Sequence, residues 1–106
     1  MSAMPLSPLK IVLHAPTASS LARARNHLVN LISASPAPTV RIVVNAEAVA
    51  ATLDNPNDVA DRVTQVCGNT LRKLDRQALS PLTVLDQGAV LGLAEMQADG
   101  WYYIRA

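Results

Sequence analysis

Cysteine, glycine and aromatic residues are scarce in this 106-residue chain, and each scarcity excludes a class of protein. A single cysteine rules out an intramolecular disulfide framework and cannot by itself build a structural zinc site, so no metal is expected. Four glycines provide neither a phosphate-binding loop nor a dinucleotide fingerprint, and no cofactor is expected. With one Trp, two Tyr and no Phe, the core must be aliphatic.

An excess of charge and long apolar runs are also missing. Nine Lys and Arg against eight Asp and Glu leave a formal net charge of +1, without basic clusters interleaved with aromatics, so no nucleic-acid partner is expected. The densest early apolar run, LKIVLHA, is far shorter than the roughly 20 residues of a membrane span. We therefore expect no membrane association and a cytoplasmic location. Residues 1–8 predict a flexible leader, and residues 9–106 a single domain.

Half of the residues are hydrophobic, and they form short runs of two different periodicities. β-branched runs at residues 9–15 and 39–45 predict buried strands, and each is followed by apolar residues at helical spacing. Thr17 or one of the serines after it is expected to cap the first helix, and Asn45 the second.

The last quarter of the chain repeats the alternation of strand and helix. Residues 81–88 predict a strand, residues 89–100 a helix that ends at a glycine, and residues 101–105 a final strand. This alternation along the chain predicts an α/β fold with a mostly parallel sheet covered on both faces.

The stretch from residue 58 to residue 77 has two interpretations of equal weight. Its apolar residues match one face of a single long helix. Alternatively, Gly68 and Asn69 mark a strand-to-helix turn just after Cys67, with Asn69 or Thr70 as the helix cap. The choice decides where the only cysteine lies.

The segments VCGNTLRKL and LTVLDQGAVLGLAEMQADGWYYIRA resemble the DsrE/DsrF-like (YchN-like) proteins, and KIVLHAPT and VRIVVNAEAV resemble the first two strand-to-helix units of that family. The matching positions are Cys67, Asn69, Leu71, Gly88, Gln97, Gly100, Trp101 and Tyr102. The usual glycine before the third strand is absent. The resemblance implies that residues 9–106 form a DsrE-like three-layer α/β/α sandwich with a five-stranded sheet, assembled into trimers or hexamers. It also favours a strand that ends at Cys67.

A cysteine at the carboxyl end of a parallel strand lies where open α/β sheets place their ligand crevice. The amides of Gly68, Asn69 and Thr70 would then begin a helix beside the thiol, lower its pKa and stabilise a persulfide anion. The alternative is that Cys67 is a small buried hydrophobe, a common role of free cysteine.

Two further polar residues follow predicted strands at the same edge. His14 ends the first strand and Asn45 the second, so both are candidate ligand-binding residues beside Cys67. A hydrogen-bonded structural role for His14 and a capping role for Asn45 are the alternatives. Lys73 and its neighbour Arg72 would attract an acidic partner or lower the thiol pKa, or simply form a solvated helix face.

These inferences predict a small sulfur carrier or thiol-redox protein, sulfurtransferase-like, that accepts sulfane sulfur on Cys67 from a donor protein and passes it to an acceptor protein. The alternative is a non-catalytic oligomeric module that binds a small ligand or a protein partner, with Cys67 structural. A third interpretation is a redox sensor in which two Cys67 thiols pair across subunits. The aromatic run WYYIR predicts either a subunit interface or packing on the terminal helices.

Overall fold

The computed structural model describes residues 9–106, so the leader predicted for residues 1–8 lies outside the described part. Residues 9–106 form an α/β domain with five strands and four α-helices. In chain order the elements are β1 (Lys10–Ala15), α1 (Ala18–Ile32), β2 (Thr39–Val44), α2 (Glu47–Asp54), β3 (Thr64–Cys67), α3 (Gly68–Leu74), β4 (Thr83–Leu85), α4 (Ala89–Ala98) and β5 (Tyr102–Arg105).

The sheet is entirely parallel, with the order β4-β3-β2-β1-β5, and the predicted three-layer α/β/α sandwich is confirmed. The chain crosses the sheet from β1 to β4 and then returns to the other edge through α4. Right-handed crossovers in this order place α1, α2 and α3 on one face and α4 on the other. The central strands are buried on both faces, as a covered parallel sheet requires: Val12, Ile42, Val43 and Val66 are all fully buried.

The ambiguous stretch is a strand followed by a helix, and the single-helix interpretation is wrong. A 3-10 turn at Ala60–Val63 leads into β3, which ends at Cys67. Val59, which a single helix would bury, is 56% exposed. Gly68 explains the break: a Cβ there would lie 2.8 Å from the Leu85 carbonyl oxygen, so α3 can start this close to β4 only at glycine.

The predicted helix caps are confirmed in one case and wrong in two. Thr17 caps α1 in a reciprocal capping box with Ser20. Asn45 does not cap α2, whose N-cap is Ala46 at a φ of 49°, because the Asn45 side chain bonds His14 instead. Asn69 and Thr70 do not cap α3 either, since its N-cap is Cys67 and both lie within its first turn.

The three residues of the aromatic run differ in burial, and the subunit interface predicted for them stays a prediction. Trp101 is partly buried against the core, with Lys10 and Arg41 over its ring. By contrast, β5 is an edge strand whose four residues are all exposed; Tyr102 is 60%, Tyr103 39% and Ile104 45% exposed.

Among the helices of the described residues, none combines the length and apolar character needed to cross a membrane.

Candidate thiol site at the carboxyl edge of the sheet

Cys67 lies at the carboxyl end of β3 and is also the residue from which α3 begins. Its side chain is only 6% exposed and forms no disulfide. It lies on the face of the sheet that α4 covers, and the Ala89 amide, the first of α4, donates a hydrogen bond to Sγ at 3.4 Å. Two helix starts therefore meet at this sulfur atom.

Opposing influences act on the thiol. Burial raises the pKa of Cys67, because a thiolate loses hydration in the protein interior. Hydrogen bonds from the Thr70 hydroxyl and the Thr70 backbone amide lower it, and so do the amides of Ala89 and Asn69. The hydrogen bonds outweigh burial, and the pKa of Cys67 lies below its ordinary value. A lowered pKa increases the thiolate fraction, which is the nucleophilic form.

A cavity of about 300 Å³ opens beside the thiol. Its described lining residues are Asn45, Ala46, Cys67, Asn69, Thr70, Lys73, Gln87, Gly88, Ala89 and Val90. No carboxylate is present among them, and Lys73 is their one cationic side chain. The cavity therefore offers hydrogen-bond donors and a positive charge to an occupant.

Of the residues that the sequence marked as candidates, Asn45, Asn69 and Thr70 line this cavity together with Cys67. Gly68 does not line it, and instead allows close packing of α3 on the turn after β4. His14 does not line it either: its Nε2 lies 2.9 Å from Asn45 Oδ1 and its Nδ1 lies 2.6 Å from the Tyr103 hydroxyl. His14 thus contacts the cavity wall from behind.

The turn that joins β4 to α4 supplies a cavity wall that sequence reasoning did not assign to the site. Gln87 in this turn and Ala89 and Val90 at the start of α4 line the cavity. The strand-end rule that marked Cys67 also applies to β4, its neighbour in the sheet, and would have found them. Gly88 makes the turn possible, because its φ is +97° and a Cβ would lie 2.5 Å from Asn69 Nδ2.

A second cavity, of about 570 Å³, lies at the opposite end of the sheet. It is bounded by the end of α2, the 3-10 turn before β3 and the loop before β4. Arg76 at its edge pairs with Asp54 at 2.9 Å, and no cysteine or histidine is among its described lining residues. Thiol chemistry therefore belongs to the smaller cavity.

Residues 9–106 hold no group of three or more His, Cys, Asp or Glu side chains placed to bind a metal ion.

No protein-family model and no curated protein matches this chain. The resemblance to DsrE-like proteins therefore stays a prediction that rests on the residues quoted above.

Proposed function

We propose that this chain is a DsrE-like sulfur carrier that accepts sulfane sulfur on Cys67, acting as a sulfurtransferase-like relay between a donor and an acceptor protein. The observation that carries the proposal is a buried thiol that accepts a hydrogen bond from the Ala89 amide beside an open cavity and whose pKa is lowered although the side chain is buried. A structural cysteine needs no such arrangement, and burial alone would raise its pKa.

The transfer step balances without any further reactant. The Cys67 thiolate attacks the outer sulfur of a donor persulfide, R–S–SH, and a sulfur–sulfur bond forms as the donor bond breaks. The donor leaves as a thiolate and takes up the proton of the attacked group, so that R–SH and a Cys67 persulfide anion result. An acceptor thiolate or other nucleophile would remove the outer sulfur by the same step in reverse.

The cavity supports the second half of this cycle. A bound persulfide places its outer, negatively charged sulfur one bond beyond Sγ. The cavity has room for it, and the nearby amides of Asn69 and Ala89 are the kind of donor that stabilises such a charge. Lys73 adds a positive charge at the wall.

The proposal is tested by intact mass after incubation with a small persulfide donor. Wild-type protein should gain one sulfur atom, and Cys67→Ser should gain none while its unfolding transition stays cooperative. Recovery of the wild-type mass by a reductant identifies the added atom as sulfane sulfur. No mass gain in the wild type, or equal gain in Cys67→Ser, would overturn the assignment.

One observation favours the rival function, a ligand-binding module with a structural Cys67: the thiol is 6% exposed. This rival predicts slow alkylation at every pH. It also predicts that Cys67→Ser costs about 1 kcal/mol or more of stability, since a hydroxyl replaces a hydrophobe. The same low exposure disfavours the redox sensor, since pairing two Cys67 thiols requires both to be accessible.

We also propose that the chain forms a homo-oligomer, a trimer or hexamer as the resemblance implies, and works in the cytoplasm. The exposed apolar side chains of the β5 edge support self-association. A reducing compartment suits a carrier whose working group is a single free thiol.

A further inference from the structure

A line of hydrogen bonds runs from the exposed edge of the sheet to the wall of the thiol cavity. It joins Tyr103 in β5, His14 in β1 and Asn45 after β2, with separations of 2.6 Å and 2.9 Å. Of these three residues only Asn45 lines the cavity. The other two therefore act on the cavity through Asn45.

The direction of each hydrogen bond follows from what the groups can donate. A carboxamide oxygen only accepts, so His14 Nε2 carries a proton and donates it to Asn45 Oδ1. In the neutral ring Nδ1 is then an acceptor, and the Tyr103 hydroxyl donates to it. Asn45 Nδ2 makes no hydrogen bond within residues 9–106. The amide end that is left for a cavity occupant is therefore a donor.

Asn69, on the other side of the thiol, repeats this arrangement. Its Oδ1 accepts from Arg72 Nη2, and Arg72 is held in turn by the Asp86 carbonyl oxygen at 3.1 Å. Asn69 Nδ2 likewise has no hydrogen-bond partner among the described residues. Two carboxamides at one cavity thus have their acceptor oxygens occupied from outside. Lys73, the cation at the wall, has no ion-pair partner within residues 9–106.

From these contacts we infer that His14, Tyr103 and Arg72 are positioning residues that turn the Asn45 and Asn69 carboxamides donor-side toward the cavity, so that the site selects a small sulfur-bearing anion. That the occupant bears sulfur rests on the proposed function. That it is an anion rests on the donors and the lysine at the cavity wall. Such an anion would be an inorganic thiosulfonate group, or an organic persulfide R–S–SH whose group R carries the negative charge. Neutral disulfides and polysulfides would gain nothing from a wall of donors.

The test compares alkylation of Cys67 by iodoacetate, an anion, and by iodoacetamide, its neutral counterpart of similar size. Both reagents react with the thiolate, so the ratio of their rate constants cancels the thiolate fraction and reports anion preference. We expect the wild-type ratio to exceed that of glutathione by about tenfold. In Asn45→Asp, which keeps the acceptor for His14 but replaces the donor with an oxygen, the ratio should fall about tenfold.

The positioning role is separated from a purely structural one by two replacements of the same histidine. His14→Gln keeps a donor near Nε2 and should retain the wild-type ratio, whereas His14→Asn, one carbon shorter, should lower it about threefold. Tyr103→Phe should lower it less. Tyr102→Phe is the matched control, because the Tyr102 hydroxyl has no hydrogen bond within residues 9–106, and its ratio should not change.

Equal ratios in wild type, Asn45→Asp and both His14 variants would overturn the inference, and so would a thiol that neither reagent modifies. The sulfur-uptake experiment is independent of this result. If the protein takes up sulfur but its ratio of iodoacetate to iodoacetamide rate constants equals that of glutathione, the carrier function is supported and the anion selection is wrong. The expected ratios without uptake would leave an anion-selective cavity and remove the carrier function.

Discussion

At the scale of single residues, Cys67 has an environment that a buried small hydrophobe does not need. Burial raises the pKa of Cys67, and among the groups that lower it the Thr70 hydroxyl has the largest effect. Thr70 Oγ1 itself accepts from the Ala46 amide at 3.3 Å, which leaves its proton for the sulfur. One threonine thus links the turn after β2 to the thiol.

Thr70→Val should raise the pKa of Cys67 because it removes the hydroxyl that stabilises the thiolate. The midpoint of the alkylation rate should therefore move to higher pH, because the thiolate loses a hydrogen-bond donor. Below that midpoint the variant would react more slowly than wild type, and at high pH the two rates would converge. Thr39→Val, at an exposed position outside the cavity, is the control. An unchanged midpoint in Thr70→Val would contradict the assigned role.

At the scale of secondary-structure elements, the site depends on two helices that begin unusually close to neighbouring backbone. Gly68 opens α3 against the end of β4, and Gly88 precedes α4 against Asn69. Neither helix start has a side-chain cap. Close packing at the two glycines therefore brings the donors of both starts to Cys67.

Gly88→Ala should destabilise the protein and slow alkylation of Cys67 together. Its φ of +97° is strained for alanine. The new Cβ would also lie 2.5 Å from Asn69 Nδ2, so the Asn69 side chain would have to move. We expect a loss of about 1 to 3 kcal/mol in denaturant unfolding.

The matched control is Gly100→Ala, which shares a positive φ of +91° but whose nearest neighbour is the Lys10 side chain at 3.8 Å. It should lose some stability and keep the alkylation rate of wild type. Equal effects of the two variants on the thiol would mean that the close approach at Gly88 does not position the site.

The sequence predicts where the strands end, but it does not predict which hydrogen-bond partners the side chains at those ends have. Strands β1 and β2 are predictable because β-branched runs are local signals, whereas the residues around Gly68 fit both a helix and a strand that ends at Cys67, and the family resemblance favours the strand. Asn45 was assigned as a helix cap because capping is the local preference of asparagine after a strand. Its actual partner, His14, lies 31 positions away, and only the register of β1 against β2 brings the two together. Arg72 contacts Asn69 within α3, three positions away, but it reaches the Asp86 carbonyl oxygen only because the turn after β4 folds against this helix.

At the scale of the whole molecule, the two edges of the sheet differ. On one side β4 packs against the turn that completes the thiol cavity, and on the other β5 leaves its backbone edge and four side chains exposed. Exposed apolar edge strands are where sheets associate. Tyr103 connects this edge to Asn45 through His14, so association at β5 would also order the cavity wall.

Ile104→Lys should shift the proposed oligomer toward monomer, because a charge replaces a side chain that is 45% exposed in the isolated chain. Size-exclusion chromatography with light scattering would measure the mass at micromolar concentration. Leu79→Lys, at an exposed site in the loop before β4, is the control and should keep the wild-type mass. A monomeric wild type would contradict the proposed assembly.

Whether Cys67 is a working thiol is decided by the pH dependence of its alkylation in the native protein. A lowered pKa means that the thiolate persists as pH falls, so the rate should reach half its plateau at a pH below the unperturbed value of about 8.5. Unfolded protein serves as the internal reference, with its midpoint near that value. A native midpoint at or above the unfolded one, or slow reaction at every pH, would show that Cys67 is part of the core and carries no sulfur.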